Sequence, residues 1–301
     1  MSQVLVCGLV NIETTLRIEG FPLAYDPVRY PFHGIHSSVS GVGYNVAKAL
    51  TVLGNMVRLL AIVGEDDAGI LVRHALERDH IPTAGVLAQA AHTAQSVILY
   101  DPSGRRMIHT DLKDMQQQVY PPEYFVASLK GCDLAVLCNI NYSRPFLALA
   151  QQANLPIAAD VHAIYELEDP YNGDYMAAAN ILFMSHERLP MPPHEWAQQV
   201  IQRYAPAVLV IGMGADGALL AVKSSRLLEH LPAVATRPIV STIGAGDALF
   251  SSFCHFYLQS GNPYTALQRA ILFASYKIGE PGAAAGFLDE SALNLLFKQI
   301  S

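Results

Sequence analysis

A single carboxylate, Asp247, directly follows Gly244, Ala245 and Gly246 in the stretch STIGAGDALFSSF (241–253). Three residues this small let a bulky anion approach the main chain. Behind them, Phe250, Phe253, Cys254, Tyr257 and Leu258 recur at helical spacing, which predicts a helix with one buried face beginning near Asp247. It should end around Ser260-Gly261-Asn262-Pro263, where glycine takes a left-handed C-cap and proline blocks continuation. A helix entrance carries free backbone amides and about half a positive charge. Such an entrance binds a phosphate or a developing oxyanion, and a carboxylate at its rim can take a proton from an incoming hydroxyl. The competing reading is a plain helix cap preceded by a turn.

Other residues could share that chemistry. SGVGYN (40–45) is a second glycine cluster at a helix start, with Asn45 in the first turn, where its amide could bond a ligand hydroxyl. Asn11 and Glu13 follow the first apolar run, and Asp160, with His162 after it, ends another. GMGADG (212–217) matches G-x-G-x-x-G, but ALLAVKSS (218–225) after it reads as a strand, so the glycines predict a tight strand-to-strand turn rather than a dinucleotide fingerprint. No P-loop pattern occurs, and His33 and His36 lack further ligands at metal spacing.

The elements that must position these groups alternate. VLVCGLV (4–10), MVRLLAIVG (56–64), DLAVLC (133–138), LPIAAD (156–161), NILFMS (180–185) and AVLVIG (207–212) read as strands buried on both faces. Helical patterns lie at 43–54, 69–79, 143–153, 195–203 and 263–276. The expectation is a single α/β domain over 1–301: a three-layer, mostly parallel central sheet with helices on both faces and ligands at the carboxyl strand ends. QSVILYD (95–101) and RRMIHTD (105–111) flank Asp101-Pro102-Ser103-Gly104 as a hairpin, and 14–20 and 34–40 also alternate in strand fashion. These segments, about 14–40 and 94–112, predict a small β-sheet lid over the strand ends.

Composition narrows the function classes. The 301 residues are 51% hydrophobic and 15% charged with a net charge of −7, which implies a large core and argues against nucleic acid or an anionic membrane as partner. Cys7, Cys132, Cys138 and Cys254 form no C-x-x-C and read as reduced thiols. With no signal-peptide pattern at the N-terminus and no 18-residue apolar span, a cytoplasmic location and a small-molecule ligand are expected.

Taken in order, these motifs resemble the ribokinase-like (PfkB) family of carbohydrate and nucleoside kinases. GLVNIE (8–13) is similar to the family's opening strand motif, 41–69 to its N-terminal signature, GMGADG to its nucleotide-side turn, STIGAGDALFSSF to its C-terminal signature, and GAAAGF (282–287) to a loop near the nucleotide. The resemblance implies ATP as phosphoryl donor with Mg2+, Asp247 as general base, and the backbone amides of Gly244, Ala245 and Gly246 as anion hole. It places Asn11, Glu13, Gly41, Gly43 and Asn45 around the acceptor. Gly212, Gly214, Gly217, Thr242, Ala274 and Gly282 would line the nucleotide pocket. The chain also departs from the family pattern. Glu13 replaces a common aspartate, and Ser241 replaces an aspartate linked to a monovalent cation or to phosphate positioning, so strong potassium activation is not expected. SHER (185–188) replaces Asn-x-x-Glu, leaving Glu187 as the Mg2+ candidate. The implied reaction is phosphorylation of a hydroxyl, primary by expectation, on a sugar. The alternatives are a nucleoside kinase in which Tyr44 or a lid aromatic stacks on a base, and a non-catalytic sugar or nucleotide sensor. Arg105 and Arg106 on the hairpin read as a solvated face or as contacts to a charged acceptor, and a homodimer through the lid is a further expectation.

Overall fold

In the computed structural model, which describes residues 1–300, the apolar runs assemble as one nine-stranded sheet. Its strands are β1 (Gln3–Cys7), β4 (Met56–Gly64), β5 (Val86–Ala90), β8 (Leu134–Leu137), β9 (Ile157–Ala163), β10 (Ile181–Ser185), β11 (Val208–Gly212), β12 (Ala218–Val222) and β13 (Leu227–Leu231). They lie in the order β13-β12-β11-β10-β9-β8-β1-β4-β5, parallel from β5 through β11 and antiparallel for the last two. Alternation along β1 sends Val4 and Val6 to one core layer and Leu5 and Cys7 to the other, so both faces of the strand are dry. Helices α1 (Val42–Val52), α7 (Ala245–Ser260) and α8 (Pro263–Lys277) contribute to the first layer. Helices α4 (Pro145–Gln152) and α6 (Pro193–Tyr204) contribute to the second.

Because β1 is flanked by β4 on one side and β8 on the other, the order reverses there, and a crevice is expected at its carboxyl end. The first strand is shorter than the apolar run 4–10 suggests. At Gly8 a Cβ would lie 2.4 Å from Cys138 Sγ and 2.9 Å from Gly43 Cα, so the chain leaves the sheet where α1 presses on it. It passes directly into a second sheet of four strands, β2 (Asn11–Arg17), β3 (Ile35–Ser40), β6 (Gln95–Tyr100) and β7 (Arg106–Asp111), in the order β3-β2-β6-β7. Asn11 and Glu13 therefore belong to the small sheet. Among the described residues the four cysteines are free thiols, and no helix is long and apolar enough to cross a membrane.

Helix α7 departs from the expected single buried face. Phe250 through Phe256 are all buried, including Ser251, Ser252 and His255, because the helix is enclosed by α1 and α8 as well as by the sheet. Its serines satisfy themselves by back-bonding, Ser251 Oγ to the Asp247 carbonyl (2.6 Å) and Ser252 Oγ to the Ala248 carbonyl (2.5 Å). An enclosed helix has little freedom to shift, which fixes the direction of its N-terminus.

Candidate active site

The amino end of α7, the start of α1 and the root of the small sheet meet beside the carboxyl end of β1. Asp247 sits half-buried in the first turn of α7. Asn45, buried in α1, donates Nδ2 to Asp247 Oδ2 at 2.7 Å. Its Oδ1 faces the Ser40 hydroxyl at 3.3 Å, and the same hydroxyl reaches Glu13 Oε2 at 3.0 Å. One serine proton serves one of these acceptors at a time. The result is a continuous polar string, Asp247–Asn45–Ser40–Glu13, that joins a carboxylate on the core to one on the small sheet.

Two atoms of this group are left over. Among the described residues, Glu13 Oε1 and Asn11 Oδ1 are buried without a hydrogen-bonding partner, although Asn11 Nδ2 donates to Ser96 Oγ at 3.0 Å. Both are acceptors and lack donors. Burial raises the pKa of the Asp247 carboxyl; the Asn45 hydrogen bond, His162 and Lys277 pull it down, while Asp160 pushes it further up. Glu13 is also raised, first by burial and then by Asp247, against the lowering effects of Ser40, Lys277 and the Ala283 backbone.

The turn before α7 forms a cradle. Gly244 has φ 76°, and a Cβ there would lie 2.3 Å from the Ala283 carbonyl oxygen, so both conformation and space demand glycine. A Cβ at Gly246 would instead meet nothing within 4 Å. The Ala245 amide turns back on the Thr242 carbonyl (3.2 Å), whereas the Gly244, Gly246 and Asp247 amides meet no acceptor among the described residues. The available donor set is thus shifted from the 244–246 amides toward Gly244, Gly246 and Asp247. Ile243 and Ala283 cluster with Ile98, and Gly104 at the hairpin tip lies against Thr242, so the small sheet closes over this turn.

The remaining sequence candidates fall into place unevenly. Gly41 (φ 97°) and Gly43 are required by close approach to Leu9 and Gly8, with Cβ positions 2.5 Å from the Leu9 carbonyl oxygen and the Gly8 carbonyl carbon. GMGADG forms the tight turn between β11 and antiparallel β12. Gly212 packs near Leu249 of α7, and Gly214 near His186, but Gly217 is backed onto the main chain at 231–233. Gly282 faces Ser38 of β3, and Ala274 lies on α8, one turn before its end. Glu187 is bound by Arg106 at 3.1 Å, and Arg105 by Asp101 at 2.8 Å. Arg105 stays largely exposed on the hairpin, in keeping with a solvated face, and Arg106 is a third exposed in its pair with Glu187. Tyr44 is 1% exposed with its hydroxyl on Asp79, so stacking on a base is closed to it.

Ser40, Ser96 and Lys277 escaped the sequence reading. The two serines gave no signal, being ordinary strand residues. Lys277 did, as a lone cation in the apolar segment LFASYKIG (272–279). It is fully buried, its ammonium donating to the Ile243 carbonyl and, at 2.7 Å, to that of Gly282.

Comparison with known proteins decides the lineage. Residues 1–290 match the pfkB family of carbohydrate kinases. The chain belongs to that family. Among its relatives, this pfkB kinase is 27% identical over 296 residues to acarbose 7(IV)-phosphotransferase of Actinoplanes sp., covering 97% of each chain. It is 27% identical over 289 residues to the ATP-dependent ribose-1-phosphate kinase of Halopiger xanaduensis, covering 94% of each. The solved structure of a microbiome-derived acarbose kinase superposes with a TM-score of 0.87 at 22% identity over 99% of both chains, a likeness of fold.

Proposed function

We propose that this pfkB kinase transfers a phosphoryl group from ATP to a hydroxyl of an uncharged sugar, with Asp247 as general base. The observation that carries the reading is the polar string from Glu13 to Asp247 ending beside unengaged amides of α7. Glu13 Oε1 and Asn11 Oδ1 ask for hydroxyl donors, which a polyol supplies. Of the two relatives, one is named for acarbose, a neutral sugar, and the other for ribose 1-phosphate, a charged one, so the names support a sugar acceptor. Both unpartnered atoms are acceptors, one of them on a carboxylate, so they offer no donor to an anionic group, which favours a neutral acceptor.

In this reading Glu13 and Asn11 orient the acceptor so that one hydroxyl, primary by our proposal, faces Asp247. The carboxylate accepts that proton as the acceptor oxygen bonds to phosphorus, and Asn45 keeps the receiving carboxylate turned toward it. ATP, when bound, would supply the phosphoryl group, the bond from its terminal phosphorus to the bridging oxygen breaking as ADP leaves. The Gly244, Gly246 and Asp247 amides would neutralise charge on its oxygens, and the open space at Gly246 fits a phosphate where a side chain would fill it. Gly212, Gly214, Thr242, Ala274 and Gly282 would line the rest of the nucleotide site. No group of three metal-binding side chains occurs among the described residues, and Glu187 is engaged by Arg106. Mg2+ therefore fits as an ion held largely by phosphate oxygens and water, its usual mode with nucleotides. The small sheet acts as the lid.

The test is ADP release across a panel of neutral sugars, sugar phosphates and nucleosides, with wild type and Asp247→Asn. A neutral sugar should be turned over and the variant should lose roughly 10²–10⁴-fold in kcat. Turnover of nucleosides alone would overturn the acceptor assignment. Binding of sugar or nucleotide without ADP release would establish the sensor reading instead.

A further inference from the structure

Lys277 is the last residue of α8, and its side chain is fully buried. A lysine in that state is rare unless its ammonium is paired, because three donors and a full charge lose their water. Its two hydrogen-bond acceptors lie on different segments, and both belong to the anion cradle. Ile243 immediately precedes Gly244, and Gly282 immediately precedes Ala283, whose carbonyl presses on Gly244. The chain entering the turn is also held to the end of α8, with the Val240 and Ser241 amides donating to the Ile278 carbonyl at 2.8 and 3.0 Å.

The groups that set the charge of Lys277 come from every side. Burial lowers its pKa to about 8; Asp247 on α7, Glu13 on β2 and Glu280 favour the charged form, and Arg237 opposes it. Two carbonyls and the field of three carboxylates surround one buried positive charge, and that charge is covalently attached to the chain.

We infer that Lys277 is a tethered cation, a positioning residue whose ammonium holds the 241–244 turn against the 282–286 loop, so that the amides of α7 face the transferred phosphoryl group without a dissociable ion. This deepens the phosphoryl-transfer reading above and rests on it. The ammonium touches neither acceptor nor nucleotide in this account. It acts through the two carbonyls and through its field at Asp247.

The experiment compares wild type, Lys277→Ala and Lys277→Met in sodium, potassium and ammonium chloride. Melting temperature is read without substrates, and kcat and KM with the accepted sugar. Wild type should be indifferent to which cation is present in both readouts. Lys277→Ala should lose on the order of 10²-fold in kcat, as when one amide donor of an anion hole is lost, with acceptor KM nearly unchanged. Potassium or ammonium should restore part of both its kcat and its melting temperature. In Lys277→Met the side chain fills the space, so kcat should fall and no cation should restore it. Acceleration of wild type several-fold by potassium would overturn the inference, as would full kcat in Lys277→Met. A loss in Lys277→Ala that neither cation relieves would also overturn it, leaving the lysine a packing element. Should Lys277→Ala fail to fold, kcat of Lys277→Met decides alone. Should no acceptor be phosphorylated, the kinase reading fails while the cation dependence of melting still tests Lys277.

Discussion

Asp247 is a carboxylate whose proton affinity is set by opposing neighbours, and the neighbour that touches it is Asn45. Burial holds its pKa above that of an ordinary aspartate, and the 2.7 Å bond from Asn45 works against burial by favouring the charged form. If Asp247 is the base, as proposed, it must be ionised to act, and the acid limb of kcat/KM should lie above the usual carboxylate range. Asn45→Ala removes the lowering contribution, and the limb should move to still higher pH in a pH–rate profile. A limb that stays in place, or moves down, belongs to another group. Asp247, Asn45 and Glu13 could be singled out in the sequence because each lies close to an element end within a local pattern. Ser40 could not, since a strand serine carries no local signal, and its tie to Asp247 runs through Asn45, 202 residues away from that aspartate. Lys277 showed only as a lone cation in an apolar segment, its carbonyl partners on the 243 turn and the 282 loop being supplied by packing.

At the scale of the element, the turn entering α7 separates two demands that the glycine motif presents as one. Gly244 is held by conformation and by the Ala283 carbonyl, whereas Gly246 opens onto space. Gly244→Ala should therefore cost about 1–3 kcal/mol of stability, seen as a lower melting temperature, from strain and displacement of the 283 loop. Gly246→Ala should melt close to wild type yet raise the KM for ATP, because its methyl enters the proposed phosphate space. If Gly246→Ala leaves ATP kinetics unchanged, the cradle is not where phosphate binds. The parallel strands were readable from continuous apolar runs except β5, where exposed Ala88 and Gln89 interrupt the run. Strand β13 was not, because at the sheet edge exposed Leu228 and His230 alternate with half-buried Leu227 and Glu229 and only Leu231 is buried, which leaves no continuous apolar run. The six-residue α5 (Gly173–Ala178) is too short to show a period.

For the molecule as a whole, the two sheets are joined by a few contacts that differ in kind. Ile98, Ile243 and Ala283 make a small apolar seam, and Arg106 of β7 reaches Glu187 beyond β10 at 3.1 Å. That pair is a third to a half exposed, so it contributes about 0–1 kcal/mol to stability and its removal should leave the melting temperature nearly unchanged. As a clasp between lid and core it should matter to binding. Arg106→Ala and Glu187→Ala are expected to raise the acceptor KM by similar factors in steady-state assays. A change in Mg2+ dependence in Glu187→Ala alone would instead return Glu187 to the metal.

The division of the polar string between two bodies has a further effect. Glu13 belongs to the small sheet and Asp247 to the core, their link passing through the Ser40 hydroxyl and Asn45. If the small sheet lifts as the proposed lid, the groups proposed to grip the sugar and to take its proton would come apart together, and an open molecule carrying nucleotide would offer a stray water no assembled partner.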